Sequence, residues 1–112
     1  MGIKEKIDSG VTKYQVHVMV EEVRGFCAAG YKPGDKFIIE WFYIKPQQNT
    51  KICLHALNSM ITLLMPFING VSAKTLGIGR KDDIGYIQCP DPGKPYTNGG
   101  TVLFKLERKR VR

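Results

Sequence analysis

Three cysteines and one histidine are the residues of this chain best suited to chemistry: Cys27, Cys53, Cys89 and His55. Three thiolates can hold zinc, with His55 or water as the fourth ligand, or a four-iron cluster with one open iron. Each cysteine stands at a structural boundary. Cys27 lies in the glycine-flanked loop Gly25-Phe26-Cys27-Ala28-Ala29-Gly30, Cys53 falls in the first turn of an expected helix, and Cys89 ends an expected strand before Pro90. The first turn of a helix favours a thiolate, because its free N–H groups and dipole stabilise negative charge. A Cys-Pro step sets the sulfur on a rigid corner and is common where cysteines hold iron–sulfur clusters. If the loop of Cys27 folds over the helix start and Cys89 ends a neighbouring strand, the three sulfurs converge.

Spacing pulls the other way. Twenty-five residues separate Cys27 from Cys53 and thirty-five separate Cys53 from Cys89, and neither gap holds a Cys-x-x-Cys chelate. His55 follows Cys53 by two residues, which on a helix is about 200° around the axis. Cysteine also serves as a small buried hydrophobe, and Cys53 belongs to an apolar helical face. Two readings therefore stand beside the metal one. The first is a thiol enzyme with Cys53 as nucleophile and a histidine or acid as base. The second is a non-catalytic binding or oligomerisation domain, with inert buried cysteines and with Trp41, Tyr43 and the basic C-terminal end meeting a partner.

The elements that must position these residues are legible in part. Thr12 to Val20 alternates with period two, placing Tyr14, Val16, Val18 and Val20 on one face and His17 on the more polar one, as in a half-buried strand. Pro33-Gly34 has turn chemistry, and Lys36 to Tyr43 reads as a second strand. Pro46 ends that strand, and Thr50 serves as N-cap for a helix. Ile52, Cys53, Ala56, Leu57, Met60, Ile61, Leu64 and Met65 recur at the spacing of one helical face, with Pro66 ending or kinking the helix and Asn69-Gly70 stopping it. Val71 to Gly85 is irregular and basic. Its Gly77-Ile78-Gly79 lacks the Lys-Ser/Thr completion of a phosphate loop and reads as a turn. Tyr86 to Gln88 and Thr101 to Leu106 are two more strands. The order predicts an α+β domain, a small twisted and mainly antiparallel sheet with one principal helix packed on it. A single domain spans 1–112, with 1–10 as a flexible lead-in and 109–112 as a basic tail.

Four segments resemble a family of small uncharacterised three-cysteine proteins of anaerobic bacteria and archaea. They are Gly25-Phe26-Cys27 with Lys32-Pro33-Gly34-Asp35-Lys36-Phe37, then Ile52-Cys53-Leu54-His55-Ala56-Leu57, then Cys89-Pro90-Asp91-Pro92, and last Val102-Leu103-Phe104-Lys105-Leu106-Glu107-Arg108. The resemblance spans roughly Lys13 to Arg108 and implies that Cys27, Cys53 and Cys89 share a site. This chain departs from the family pattern in having Leu54-His55 where a tryptophan often follows the second cysteine. It also has Gln88 and Pro90 where some members carry another cysteine beside the third.

Composition bounds the rest. A chain of 112 residues with 43% hydrophobic residues can bury one core without a metal or disulfide framework. The apolar stretch from Ile52 to Ile68 is interrupted by His55, Asn58, Ser59, Thr62 and Pro66, which suits a core helix and not a membrane span. The first residues show no secretory pattern, and Lys6 stands where a myristoylation motif needs Ser or Thr. A cytoplasmic location with three reduced cysteines follows as the expectation. The net charge of +7 invites nucleic acid, but the basic residues are scattered among acids, apart from Arg108, Lys109, Arg110 and Arg112 at the end, which argues against a nucleic-acid reader. The expectation with most behind it is a three-cysteine site holding an iron–sulfur cluster or zinc, in a redox role or as an accessory to a larger enzyme subunit. Self-association is the alternative partner.

Overall fold

A computed structural model of the chain describes residues 14–45 and 51–111. Strand β1 is Tyr14–Arg24, β2 Lys36–Glu40 and β3 Tyr43–Ile44. Helix α1 is Leu54–Ile68, and β4 (Ile84–Gln88) and β5 (Thr101–Arg110) complete the chain. The strands form one antiparallel sheet in the order β3-β2-β1-β5-β4, with the helix packed on one face, so the α+β architecture holds. The lead-in 1–10 and the N-cap position Thr50 lie outside the described residues. No helix among the described residues is long and apolar enough to cross a membrane.

Period-two alternation builds the core. Val16, Val18 and Val20 of β1 are buried opposite Arg108, Leu106 and Phe104 of β5, and Ile39 and Phe37 of β2 extend the same layer. Ala56, Met60, Leu64, Phe67 and Ile68 of α1 close over them. Strand β1 runs four residues further than its simple alternation suggests. A bulge between Val20 and Glu22 absorbs the acidic pair and returns Val23 to the core side, opposite Val102. The expected second strand is two. The chain reverses at Trp41-Phe42, so Glu40 pairs Tyr43 and Ile39 pairs Ile44 in a tight hairpin.

Arg108, Lys109 and Arg110 of the basic C-terminal end belong to the sheet. Strand β5 continues through Arg110, and Arg108 occupies the next inward position after Val102, Phe104 and Leu106. Its guanidinium is buried between the rings of Tyr14 and Phe67, at 4.8 and 4.6 Å. It donates to the carbonyls of Phe67 (2.6 Å), Val71 (2.8 Å) and Asp82 (3.2 Å) and pairs with Asp83 at 2.8 Å. Phe67 sits in the last turn of α1, where carbonyls lack helical partners and a cation is favoured. The helix also runs through Pro66 instead of stopping there. Gly70 takes the left-handed φ of +106° that lets its own N–H reach Phe67 O and the Val71 N–H reach Pro66 O.

Among the described residues the other sheet face carries no helix. His17 lies near its middle, with Lys36 on β2, Lys109 and Glu107 on β5, and Lys45 beyond β3 as its charged neighbours. Burial first, then the lysines, hold His17 below its ordinary pKa against the weaker pull of Glu107.

Two outcomes are expected. Arg108→Met takes a charged donor from three carbonyls, of which Phe67 O and Asp82 O keep backbone donors and Val71 O has no other among the described residues, and should cost about 2–4 kcal/mol in urea unfolding, whereas Asp83→Asn should cost less than about 1 kcal/mol because that carboxylate is 62% exposed. Equal losses would show that the ion pair, and not the carbonyl contacts, makes the tie. Because the unfolded chain protonates His17 more readily than the folded one, stability is complete above the histidine's ordinary value, roughly pH 6.5, and falls as pH drops below it. His17→Gln should flatten that acid-side slope in thermal melts.

Candidate functional site

The topology carries all three cysteines to one end of the domain. Strand β1 runs up to Arg24, β5 starts beside it at Thr101, and β4 arrives with Gln88 opposite Leu103. The helix, tied at its C-terminus to Arg108 at the far end of the sheet, therefore begins at this end. Cys27 follows β1, Cys53 precedes α1 and Cys89 follows β4, donating its N–H to Val102 O at 2.8 Å.

Sharing an end does not by itself make a site. Among the described residues no three His, Cys, Asp or Glu side chains are grouped to hold a metal ion, and all three cysteines are free thiols packed against the hydrophobic core. No hydrogen bond among the described residues links a cysteine sulfur to a base, as a nucleophile would need. Cys53 is not in the first helical turn but at the N-cap, with extended φ −73° and ψ 124°, and its side chain caps nothing. The reason is Tyr31. Its buried hydroxyl donates to Lys51 O at 2.7 Å and accepts the Cys53 N–H at 2.8 Å, holding this segment extended until Leu54. Burial, above all, raises the Tyr31 hydroxyl's pKa and keeps it a donor, while its ring meets Phe104 edge-on at 5.7 Å. His55 is exposed and lies toward Asp91, whose carboxylate is held below its ordinary range by the Thr97 hydroxyl and the Gly93 N–H before any effect of His55.

Beside the cysteine end the 89–100 loop folds tightly on β1. A Cβ on Gly100 would run into the Arg24 carbonyl and the Phe26 amide, so only glycine lets these strands cross so closely. The crossing leaves an open cleft of about 400 Å³ lined by Arg24, Phe26, Gln88, Lys94, Asn98 and Thr101. Arg24 is already held by Glu22 at 2.7 Å.

A different feature dominates the helix side. At 100° per residue, the buried positions of α1 cover an arc of about 120°, with Leu57 at its edge, yet Ile61, Leu54 and Met65 extend the apolar surface by roughly 60° more. Leu54 is 77% exposed, and Ile61 and Met65 are also exposed. Next to this stripe the β2–β3 hairpin presents Trp41, Phe42 and Tyr43. Trp41 has a left-handed φ of +56°, a costly conformation for a bulky residue, and stacks on Phe42 with centroids 5.8 Å apart. Phe42 is 74% exposed. Between helix and hairpin runs a groove of about 280 Å³, with Ile39, Phe42, Tyr43 and Ile44 on one wall and Leu57, Ile61, Leu64 and Met65 on the other.

Sequence reasoning put Ile61 and Met65 on one apolar helical face with Ala56, Met60 and Leu64 and did not single out Phe42. The readable signal was excess. The apolar face of α1 is wider than one sheet contact covers, and three consecutive aromatics at 41–43 break the alternation of a strand. Tyr31→Phe is expected to remove both hydroxyl contacts, cost about 1–2 kcal/mol, and speed amide exchange at Cys53 while leaving Cys89 unchanged. Uniform exchange at both amides would show that Tyr31 does not pin the helix start.

Comparison with protein-family models, curated proteins and solved structures finds no match to this chain.

Proposed function

We propose that this chain is a binding module that pairs with a second copy of itself through the groove between α1 and the β2–β3 hairpin, its cysteines acting as packing side chains. One observation carries the reading. Helix α1 lies at the surface, yet none of its fifteen residues is Asp, Glu, Lys or Arg. A surface helix ordinarily shows water a charged face, and loss of charge with gain of aromatic and methionine side chains marks the centre of an interface. The patch carries both a projecting ring, Phe42, and an apolar groove to receive one. A two-fold axis can therefore seat each copy's Phe42 against the other's Ile61 and Met65, the self-complementary arrangement of an isologous contact. An uncharged surface also offers no charge pattern with which to select a different partner. The strained Trp41 fits this role, since its backbone turns the aromatic tip outward.

Sedimentation over a range of concentrations tests it. The wild-type chain is expected to form a dimer, Phe42→Ala to weaken it at least about tenfold, and Ile61→Lys to leave a folded monomer with an unchanged melt. A wild-type protein that stays monomeric at the highest concentration reached, or an Ile61→Lys protein that still dimerises, overturns the reading.

A further inference from the structure

The sheet face turned away from α1 has its own pattern along the edge strand β4. Ile84, Tyr86 and Gln88 point outward there, opposite Glu107, Lys105 and Leu103 of β5. Tyr86 is 41% exposed and makes no hydrogen bond with its hydroxyl among the described residues. At one end of β4 the 77–81 segment folds back so that the Tyr86 N–H reaches Ile78 O at 2.7 Å. This encloses a cleft of about 490 Å³ whose walls include Arg80, Lys81, Ile84 and Tyr86. At the other end lies the polar cleft with Lys94 and the 67%-exposed Phe26. The two clefts are joined by an edge of about 14 Å, the length of β4.

Charge along this edge is one-sided in effect. Glu22 is held by Arg24, Asp82 by Ser72 and Lys74, Asp83 by Arg108, and Asp91 by Thr97 and the Gly93 N–H. Arg80, Lys81, Lys94 and Lys105 have no ion-pair partner among the described residues, and Glu107 is the acid left facing the strand. Cations that are far apart in sequence thus line one edge, with an aromatic face at its middle and another at its end.

We propose that this edge binds single-stranded nucleic acid, with a base stacked on Tyr86 and phosphates met by Arg80, Lys81, Lys94 and Lys105. The chemistry is that of a stacking platform set in a cationic track, which accepts any base because every base has a π-face. A duplex hides its base faces and cannot use Tyr86. An acidic protein segment supplies charge, but a planar ring beside each charge is inherent to a nucleotide and not to a carboxylate side chain. Strand β4 lies at the opposite edge of the sheet from the β2–β3 hairpin, so the track stays open in the proposed self-pair and does not depend on it.

Fluorescence anisotropy of a labelled mixed-sequence RNA of roughly ten nucleotides tests the proposal on the full chain. Tyr86→Ala is expected to weaken binding at least about fivefold and Tyr86→Phe to leave it near wild type, since the ring and not the hydroxyl stacks. Arg80→Ala with Lys81→Ala should flatten the log–log salt slope by roughly 1.4, about 0.7 for each phosphate that is no longer neutralised. All these side chains are exposed, so each variant should keep the wild-type melt. The proposal is overturned if the wild type does not bind at low salt, if Tyr86→Ala binds as wild type, or if a duplex or polyglutamate competes as well as the single strand.

Discussion

The guanidinium of Arg108 is the contact on which the arrangement of this domain depends. It joins four parts of the chain: the last turn of α1, the Gly70-Val71 exit, the Asp82-Asp83 approach to β4, and β5 itself. A buried charge is costly unless its donors are satisfied, and here the fork of donors meets three carbonyls and a carboxylate between two aromatic rings. The exposed Asp83 adds little free energy through solvent. The larger effect is on the carbonyls: Val71 O has no other donor among the described residues, and Phe67 O and Asp82 O gain a charged donor beside one backbone N–H each. The same contact lets the helix continue past Pro66, because the turn that proline weakens is held from outside by the arginine and by the reversal at Gly70.

Fixing the helix at that end decides where everything else falls. Its N-terminus must lie at the opposite end of the sheet, beside the loop after β1 and the loop after β4, which is why Cys27, Cys53 and Cys89 become neighbours in the broad sense. Tyr31 then sets the local geometry. By holding Lys51 and Cys53 extended, it puts Cys53 outside the first turn and its neighbour His55 on the solvent side. Three loops meet at this end, and the direction in which each side chain leaves its loop is set by local backbone that sequence patterning does not report.

Those directions mark the limit of what could be read in advance. Alternation in β1 and at Val102, Phe104 and Leu106 reported backbone pairing directly, because side chains on a strand must take turns. Arg108 continued that alternation, but a charge at an inward position hid the strand under the look of a basic tail. The helix was readable from its period, yet period shows only that a face is apolar. Whether Ile61 and Met65 meet the sheet or water depends on the width of the sheet contact, a tertiary quantity. The reversal at Trp41-Phe42 was illegible for a further reason. Tight hairpins usually announce themselves through Gly or Asn, and here a tryptophan takes the positive φ. The cations Arg80, Lys81, Lys94 and Lys105 looked scattered because sequence distance is a poor guide to distance across an antiparallel sheet.

Charge and apolar surface are segregated in a way that a single physical constraint accounts for. A chain of net charge +7 repels its own copies, and at physiological salt that repulsion acts over about 8 Å. Close approach of two copies is least opposed where charge is sparse, and the helix without Asp, Glu, Lys or Arg is such a surface. Among the described residues, Lys36, Lys105 and Lys109 stand instead on the far sheet face, and Arg80, Lys81 and Lys94 at the β4 edge. There they cost little in self-repulsion, because solvent screens them, and they can be neutralised by a polyanion. In the proposed pair the two β4 edges would both face outward, each on the side away from the shared contact. Binding of one strand across both edges would then raise the apparent affinity by linking two weak contacts, with no new contact formed. The order of the strands makes this compatible: hairpin at one edge of the sheet, cationic track at the other, and Arg108 holding the helix between them.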